Sequence, residues 1–202
     1  IEQELHHCDA FYISVAFITE GGLAPLKQVL AELRDKGIPG KILTTSYLTF
    51  TEPKALKTLA DLSNVEVRVY DSTDEGASGF HTKGYIFKEE EIYRFIVGSS
   101  NMTASAFSVN KEWNTKLVST SDGELLKQMM TEFNALWNSK HTLAVKDFIE
   151  DYEVRYRLIK EQKKNAAKEQ MVDFIVTYQR CLEEFCKLQG KITFACSRYS
   201  NH

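Results

Sequence analysis

The chain lacks any apolar run near the roughly 18–20 uninterrupted residues that a membrane-spanning helix needs. Its first residues, IEQELHHCDA, also lack the basic-then-apolar pattern of a secretory signal. We therefore expect a soluble, cytoplasmic protein with no membrane partner. Because residue 1 is Ile rather than Met, we also expect the chain to be a piece of a longer protein.

An excess of positive charge is missing as well, since 25 Lys and Arg residues stand against 28 Asp and Glu residues, for a net charge of −3. This balance excludes a chain-wide basic field, so any site for a polyanion must be local. The four cysteines, Cys8, Cys181, Cys186 and Cys196, never form the Cys-x-x-Cys spacing of a metal site. Without a secretory signal we expect reduced, structural thiols, the alternative being a disulfide among the last three.

Proline and glycine are scarce, at 3 and 10 residues, and 43% of the chain is hydrophobic, which excludes a disordered or collagen-like protein. Runs rich in β-branched and aromatic residues alternate instead with amphipathic segments, and this alternation predicts a three-layer α/β domain. The first part of the pattern predicts strands over 11–18, 41–46 and 65–70 and helices over 23–36 and 51–62.

The second part of the pattern begins with two strand-like runs, 81–87 and 92–98, which predict an antiparallel hairpin with KEEE as a four-residue turn. A strand over 112–119 follows, and then a helix that Asp122 caps and whose wide apolar stripe should pack deeply on the sheet. The aromatic side chains of Phe107, Trp113 and Trp137 are expected in the core rather than on a base-stacking surface.

A change of character after Thr142 divides the chain into a domain over 1–142 and a helical extension over 143–202. The extension has high helix propensity but few apolar anchors, and it includes a strand-like run at 191–197. The sequence does not indicate a role for residues 165–202.

Chemistry-bearing residues concentrate on the predicted hairpin. His81 and Lys83 are two apart on one strand, so both should project from the same face. The partner strand ends in Gly98-Ser99-Ser100-Asn101, whose backbone donors, hydroxyls and amide can surround an oxyanion. Glu112 stands at the head of the next strand, where its carboxylate could reach the imidazole and fix its tautomer.

The pattern of His81-Thr82-Lys83, then Gly98-Ser99-Ser100-Asn101, then Asn110-Lys111-Glu112 closely resembles the motif of the phospholipase D superfamily. The surrounding strand and helix pattern, from about residue 8 to 140, suits one half of that fold. The resemblance implies a mixed β-sheet sandwiched between helices. One departure is that Lys88 stands where the family usually has Asp, seven residues after the histidine.

The resemblance further implies a metal-independent phosphodiesterase without a cofactor, in which one histidine attacks phosphorus and a second protonates the leaving oxygen. With a single motif, the chain resembles the branch whose active site forms across a homodimer axis, so that both histidines are copies of His81. Lys83 and Asn101 would hold the nonbridging oxygens, and Ser99 would assist. A lysine ammonium about 4 Å from a phosphate oxygen contributes on the order of 4 kcal/mol at an effective dielectric near 20, so two lysines can replace a divalent cation.

The stretches GFHTKGYIF, FIVGSSNMTASAF and NKEWN are most similar to phospholipase D-like nuclease domains fused ahead of helicases in restriction or repair proteins. That similarity favours nucleic acid, DNA before RNA, as the substrate and a fused helicase domain as a partner. Two alternatives stay open: a phosphate- or DNA-binding and dimerisation module with little or no activity, which Lys88 motivates, and a phospholipid phosphodiesterase.

Overall fold

The computed structural model describes the backbone of residues 1–199 and the side chains of residues 1–168, 170–171 and 174–180. Its centre is a seven-stranded mixed sheet in the order β6-β5-β4-β1-β2-β3-β7. Strands β1, β2 and β3 are parallel to one another, and the other neighbouring pairs are antiparallel. The strands are β1 (Ala10–Val15), β2 (Gly40–Thr45), β3 (Val65–Tyr70), β4 (Lys83–Glu89), β5 (Ile92–Gly98), β6 (Asn114–Thr120) and β7 (Thr142–Ala144).

Helices pack on both faces of this sheet, which confirms the predicted α/β architecture. The helices of the chain are α1 (Glu2–Leu5), α2 (Glu20–Leu23), α3 (Lys27–Asp35), α4 (Pro53–Ala60), α5 (Ala104–Ser108), α6 (Glu124–Trp137) and α7 (Val145–Tyr199), with 3₁₀ turns at Ala24–Leu26 and Tyr47–Thr49. Of α7, the start packs on the sheet. Thr19 begins α2 by accepting a hydrogen bond on Oγ1 from the amide of Gly22 at 3.1 Å, and Thr103 caps α5 in the same way through Ala106 at 3.2 Å.

The alternation of side chains along the strands divides the core between the two faces. On one face Phe11, Ile13 and Val15 of β1 join Tyr85 and Phe87 of β4 beneath α3, α4 and the start of α7. On the other face α6 inserts a buried stripe, as predicted: Leu126, Phe133 and Trp137. These α6 residues contact Ile86, Phe95, Leu43, Tyr70 and Phe80. Each strand of the centre is therefore covered on both sides.

Several local predictions need correction. Strand β4 begins at Lys83, so His81 precedes the strand instead of lying in it. The hairpin turn contains two residues rather than four, because Glu89 pairs with Ile92 and Glu90 adopts a positive φ of 51°. The N-cap of α6 is Gly123 rather than Asp122. Trp113 is 88% exposed and not part of the core, whereas Phe107 is partly buried and Trp137 is buried as expected.

The chain forms two units, Ile1–Tyr156 and Arg157–His202. The first unit extends past the predicted boundary at 142 because Val145, Phe148 and Tyr152 are buried in its core. Tyr152 also donates a hydrogen bond to the carbonyl oxygen of Thr51 at 2.7 Å. In the second unit α7 continues as helix to Tyr199, so the strand predicted over 191–197 is wrong.

The described residues also bear on the thiol and membrane predictions. Cys8 is a buried free thiol whose pKa burial raises to about 11, while the side chains of Cys181, Cys186 and Cys196 lie outside the described residues. None of the helices in the described part of the chain is both long and apolar enough to cross a bilayer.

Candidate active site

The sequence-predicted site residues converge at one end of the sheet, where β1 ends, β4 begins and β5 ends. Val15 of β1 pairs with Lys83, and Gly84 pairs with Val97 near the end of β5. The backbone amide of Ala16 donates to the carbonyl oxygen of Thr82 at 2.9 Å, so the segment before β4 is held to the end of β1. His81 is consequently fixed at the rim of the sheet with its side chain exposed.

His81 and Lys83 form a direct pair. The ammonium nitrogen of Lys83 lies 3.0 Å from Nδ1 and 3.3 Å from Nε2 of His81, and 3.1 Å from the carbonyl oxygen of His81. An ammonium can only donate, so the ring nitrogen that accepts from it carries a lone pair rather than a proton. Partial burial lowers the pKa of Lys83, and the nearby carboxylate of Glu112 opposes that shift.

The turn after β5 begins at Gly98, where a Cβ atom would overlap the carbonyl oxygen of Trp113. This close approach allows two hydrogen bonds between Ser99 and Trp113. The backbone amide of Ser99 donates to the Trp113 carbonyl oxygen, and the backbone amide of Trp113 donates to the side-chain Oγ of Ser99, both at 3.0 Å. Ser100 is buried and accepts a hydrogen bond from Asn114 at 2.8 Å, while its carbonyl accepts one from the Tyr85 hydroxyl at 3.1 Å. The turn is therefore a fixed feature of the fold.

The sequence led us to expect that Glu112 binds the imidazole of His81, and this prediction is wrong. The Glu112 carboxylate accepts a hydrogen bond from the hydroxyl of Ser99 and another from the side-chain amide of Asn110 at 3.2 Å. These two donors, and then the charge of Lys83, hold the pKa of Glu112 below its ordinary value. In this arrangement Glu112 keeps a negative charge near Lys83 and orients Ser99.

Asn101 is tied to Phe17, whose ring lies beside His81. The backbone amide of Phe17 donates to Oδ1 of Asn101 at 3.1 Å. Since a backbone N–H can only donate, this contact fixes which end of the Asn101 amide faces Phe17. The Nδ2 group has no hydrogen-bond partner among the described residues, so it is available to donate to a ligand oxygen.

Lys88, the departure from the family motif, lies far from the pair. Lys83 is in register with Val15 and Lys88 with Ala10, which places them five residues apart on β4, a distance of about 17 Å along the strand. Lys88 therefore stands near the opposite end of the strand and does not contact His81.

Two aromatic residues beside the site, Phe17 and Phe50, were not identified as site residues from the sequence. The ring of Phe17 lies 6.1 Å from the His81 ring and 5.0 Å from the Phe50 ring, both edge to face. Both phenylalanines follow the carboxyl ends of parallel strands, β1 and β2, where ligands bind in open α/β sheets. That position was the signal available in the sequence. No group of three or more metal-ligating side chains occurs among the residues described.

A substitution at Ser99 tests the arrangement around Glu112. Ser99→Ala removes the main hydrogen bond that lowers the Glu112 pKa, so we expect this pKa to rise toward the ordinary glutamate value of about 4.3. Carboxyl-carbon NMR titration of both proteins measures the change. Because the folded-state pKa is lowered, ionised Glu112 stabilises the fold above its unfolded-state pKa and loses that effect as the pH falls. An unchanged Glu112 titration in Ser99→Ala would contradict this assignment.

The chain resembles known proteins in both sequence and fold. A family model described as "Cardiolipin synthase, PLD-like domain" matches residues 3–137. The structure of NucT from Helicobacter pylori aligns with a TM-score of 0.53 and 15% identity, over 71% of this chain and 87% of that chain. Nuc from Salmonella typhimurium, a phospholipase D family member, aligns with a TM-score of 0.53 and 17% identity, over 71% of this chain and 86% of that chain.

The structure of phosphatidylserine synthase from Haemophilus influenzae Rd KW20 aligns with a TM-score of 0.52 and 15% identity, over 84% of this chain but 43% of that chain. A search of curated protein sequences finds no match. At these identities the structural likenesses show a shared fold. The family match covers most of the first unit and includes all the motif residues, so the chain belongs to the phospholipase D superfamily.

Proposed function

We propose that the protein is a metal-independent phosphodiesterase that cleaves nucleic acid, with DNA as the first choice, through a phosphohistidine intermediate. The observation that carries the proposal is the exposed imidazole of His81 in direct contact with Lys83, beside the available amide of Asn101. A nucleophile, a cation and a neutral donor are the groups that phosphoryl transfer requires in one place.

A reaction sequence follows from these groups. A ring nitrogen of His81 attacks phosphorus, the P–N bond forms, and the P–O bond to the leaving strand breaks. His81 of the partner subunit gives its proton to that leaving oxygen. Water then attacks phosphorus, loses its proton to the same partner imidazole, and breaks the P–N bond. Lys83 and the Nδ2 group of Asn101 stabilise the charge on the nonbridging oxygens. Ser99 assists indirectly, because its hydroxyl donates to the Glu112 carboxylate that lies near Lys83.

Homodimerisation belongs to the proposal because two imidazoles are needed and the chain has one copy of the motif. A fused helicase domain in the full-length protein is proposed on the motif resemblance alone. The position of Lys88 about 17 Å along β4 from Lys83 favours an active enzyme over a module that only binds phosphate, because the substitution leaves the reacting groups in place.

Phospholipid is the alternative substrate, since the matched family description and one similar structure refer to cardiolipin synthase and phosphatidylserine synthase. Nucleic acid is supported by the exposed aromatic side chains beside the site, Trp113 and Phe50, which offer faces for bases. The motif pattern supports the same choice.

Cleavage of end-labelled DNA in excess EDTA tests the proposal. We expect the wild-type chain to release shortened strands without added metal, because Lys83 and Asn101 supply the charge stabilisation. Gel electrophoresis measures the product, and phosphatidylglycerol vesicles provide the parallel lipid assay. Binding of DNA without product would indicate a binding module, turnover on vesicles alone would indicate a lipid enzyme, and cleavage that requires added metal would contradict the mechanism.

A further inference from the structure

A short apolar segment lies beside the site and has no part in the chemistry proposed above. Residues 47–50, Tyr-Leu-Thr-Phe, connect β2 to α4, and we refer to them as the aromatic tip. Tyr47 is 43% exposed, Leu48 52% and Phe50 46%. Grouped exposed apolar side chains of this kind mark contact sites for ligands more often than isolated ones do.

Buried hydrogen bonds fix both ends of the aromatic tip. At one end Ser46 is buried and its hydroxyl donates to Oδ1 of Asp71 at 2.8 Å. At the other end Thr51 is fully buried, and its hydroxyl donates to the carbonyl oxygen of Thr45 at 3.0 Å. The carbonyl of Thr51 accepts from the Tyr152 hydroxyl, also in the core. The tip is therefore held in place while its side chains face outward.

The backbone of the tip is strained. Leu48 and Thr49 have φ angles of 53° and 55°, in the left-handed region that disfavours any side chain and a β-branched one most. Consecutive residues of this type persist where the surrounding structure imposes the conformation, and they concentrate at ligand sites. Here the two strained residues lie between the partly exposed rings of Tyr47 and Phe50.

One aromatic ring joins the tip to the nucleophile. Phe17 contacts the rings of both Phe50 and His81 edge to face, and its backbone amide binds Asn101. Phe50 is thus one ring removed from the imidazole. Groups next to a phosphate that Lys83 and Asn101 hold would therefore lie near Phe17 and, beyond it, Phe50.

We propose that the aromatic tip is a stacking platform for an unpaired base next to the scissile phosphate, and that it makes the enzyme select single-stranded over double-stranded nucleic acid. This proposal rests on the function proposed above and names its substrate class. Every base has a face that can stack on an aromatic ring, but in a duplex those faces are covered by neighbouring base pairs. Selection by strandedness, without sequence preference, follows.

Base stacking fits the tip better than insertion into a membrane. An interfacial anchor combines a wide apolar face with basic residues that meet anionic lipids. The tip has four residues, none of them Lys or Arg, and Glu52 follows closely. Its two rings lie at the ends of a fixed loop, which is the geometry of a platform.

Fluorescence anisotropy with a labelled oligothymidylate strand and with its duplex tests the platform. We expect Phe50→Ala to weaken single-strand binding by roughly 5- to 150-fold, the range of one stacked base, and to leave duplex binding unchanged. Phe50→Trp should restore binding, whereas Phe50→Leu should not, because leucine keeps apolar surface without a ring. A strand with abasic nucleotides should bind the wild type weakly and be indifferent to Phe50→Ala. Phe174→Ala, at another exposed aromatic residue, is the matched control.

Equal losses on single strand and duplex, or no loss on either, would overturn the platform. So would loss of sedimentation with phosphatidylglycerol vesicles in Phe50→Ala that Phe50→Leu restores, since that pattern indicates membrane contact. Hydrolysis of bis(p-nitrophenyl) phosphate, which carries no base, reports separately on the proposed function. If that hydrolysis is absent but Phe50→Ala still weakens single-strand binding, the platform stands and the phosphodiesterase fails; the reverse result leaves the phosphodiesterase and removes the platform.

Discussion

Replacing His81 with alanine is expected to lower phosphodiester cleavage by at least about 10⁴-fold, because under the proposed mechanism the substitution removes the nucleophile and, in the partner subunit, the proton donor. His81 is exposed and lies outside the strand, so the variant should fold and melt like the wild type. The rate is measured on end-labelled DNA in excess EDTA. A variant that retains more than a few per cent of the activity would exclude His81 as the nucleophile.

Mixing wild type with His81→Ala tests whether two copies share one site. If each site needs both imidazoles, mixed dimers are inactive, and activity falls with the square of the wild-type fraction once subunits have exchanged. An equal mixture then retains about one quarter of the activity, whereas independent sites would retain about one half.

Mass spectrometry of quenched reactions should also find phosphate or a nucleotide attached to His81.

Removal of the Lys83 ammonium is the second large effect. Lys83→Met keeps the length of the side chain but removes the charge that we propose contacts the phosphate oxygens, and one lost oxyanion donor costs roughly 10²- to 10³-fold in rate. In a homodimer of the variant both copies of Lys83 are replaced, so we expect the rate to fall by at least about 10³-fold, mainly through kcat. Lys88→Met removes a lysine from the other end of the same strand and should leave the rate nearly unchanged.

The pH dependence of the wild type provides an independent measurement of Lys83. Because burial lowers the Lys83 pKa, the ammonium loses its proton at a lower pH than an ordinary lysine does. The decline of kcat/KM on the alkaline side should therefore have its midpoint below the ordinary lysine pKa of about 10.4. Lys83→Arg keeps a charge throughout this range, so any activity that it retains should show no such decline. An identical decline in Lys83→Arg would assign it to another group.

Much of the fold could be predicted from the sequence because the central strands are buried on both faces and therefore read as continuous apolar runs. The strand over Val65–Tyr70 has its predicted bounds, and β4 and β5 form the expected hairpin. The turn length could not be predicted, since Glu90 in a left-handed conformation has no signal in a run of charged residues. The run at 191–197 is rich in strand-forming residues, yet it continues a helix that begins at Val145.

The candidate site could be predicted in its residues but not in all its contacts. The two-residue spacing of His81 and Lys83 predicted that both side chains project from the same face of one strand. His81 in fact precedes the strand, and the pair forms because Lys83 reaches back from the first residue of β4. The partner of Glu112 depends on side-chain rotamers and on the course of the chain between Asn101 and Asn114, which spacing does not specify. The exposure of Trp113 was missed because a tryptophan in an alternating strand pattern is usually buried.

The close approach at Gly98 has a consequence for tracing related sequences. A methyl group at this position would collide with the start of β6 whether or not the protein cleaves anything, so selection for folding alone retains the glycine. Under the mechanism proposed above, a related chain that had lost activity would still carry the glycine, while residue 81 would no longer be constrained. Among related chains, the residue at position 81 would then be the better indicator of activity, because the glycine is required by the close approach of β5 and the start of β6.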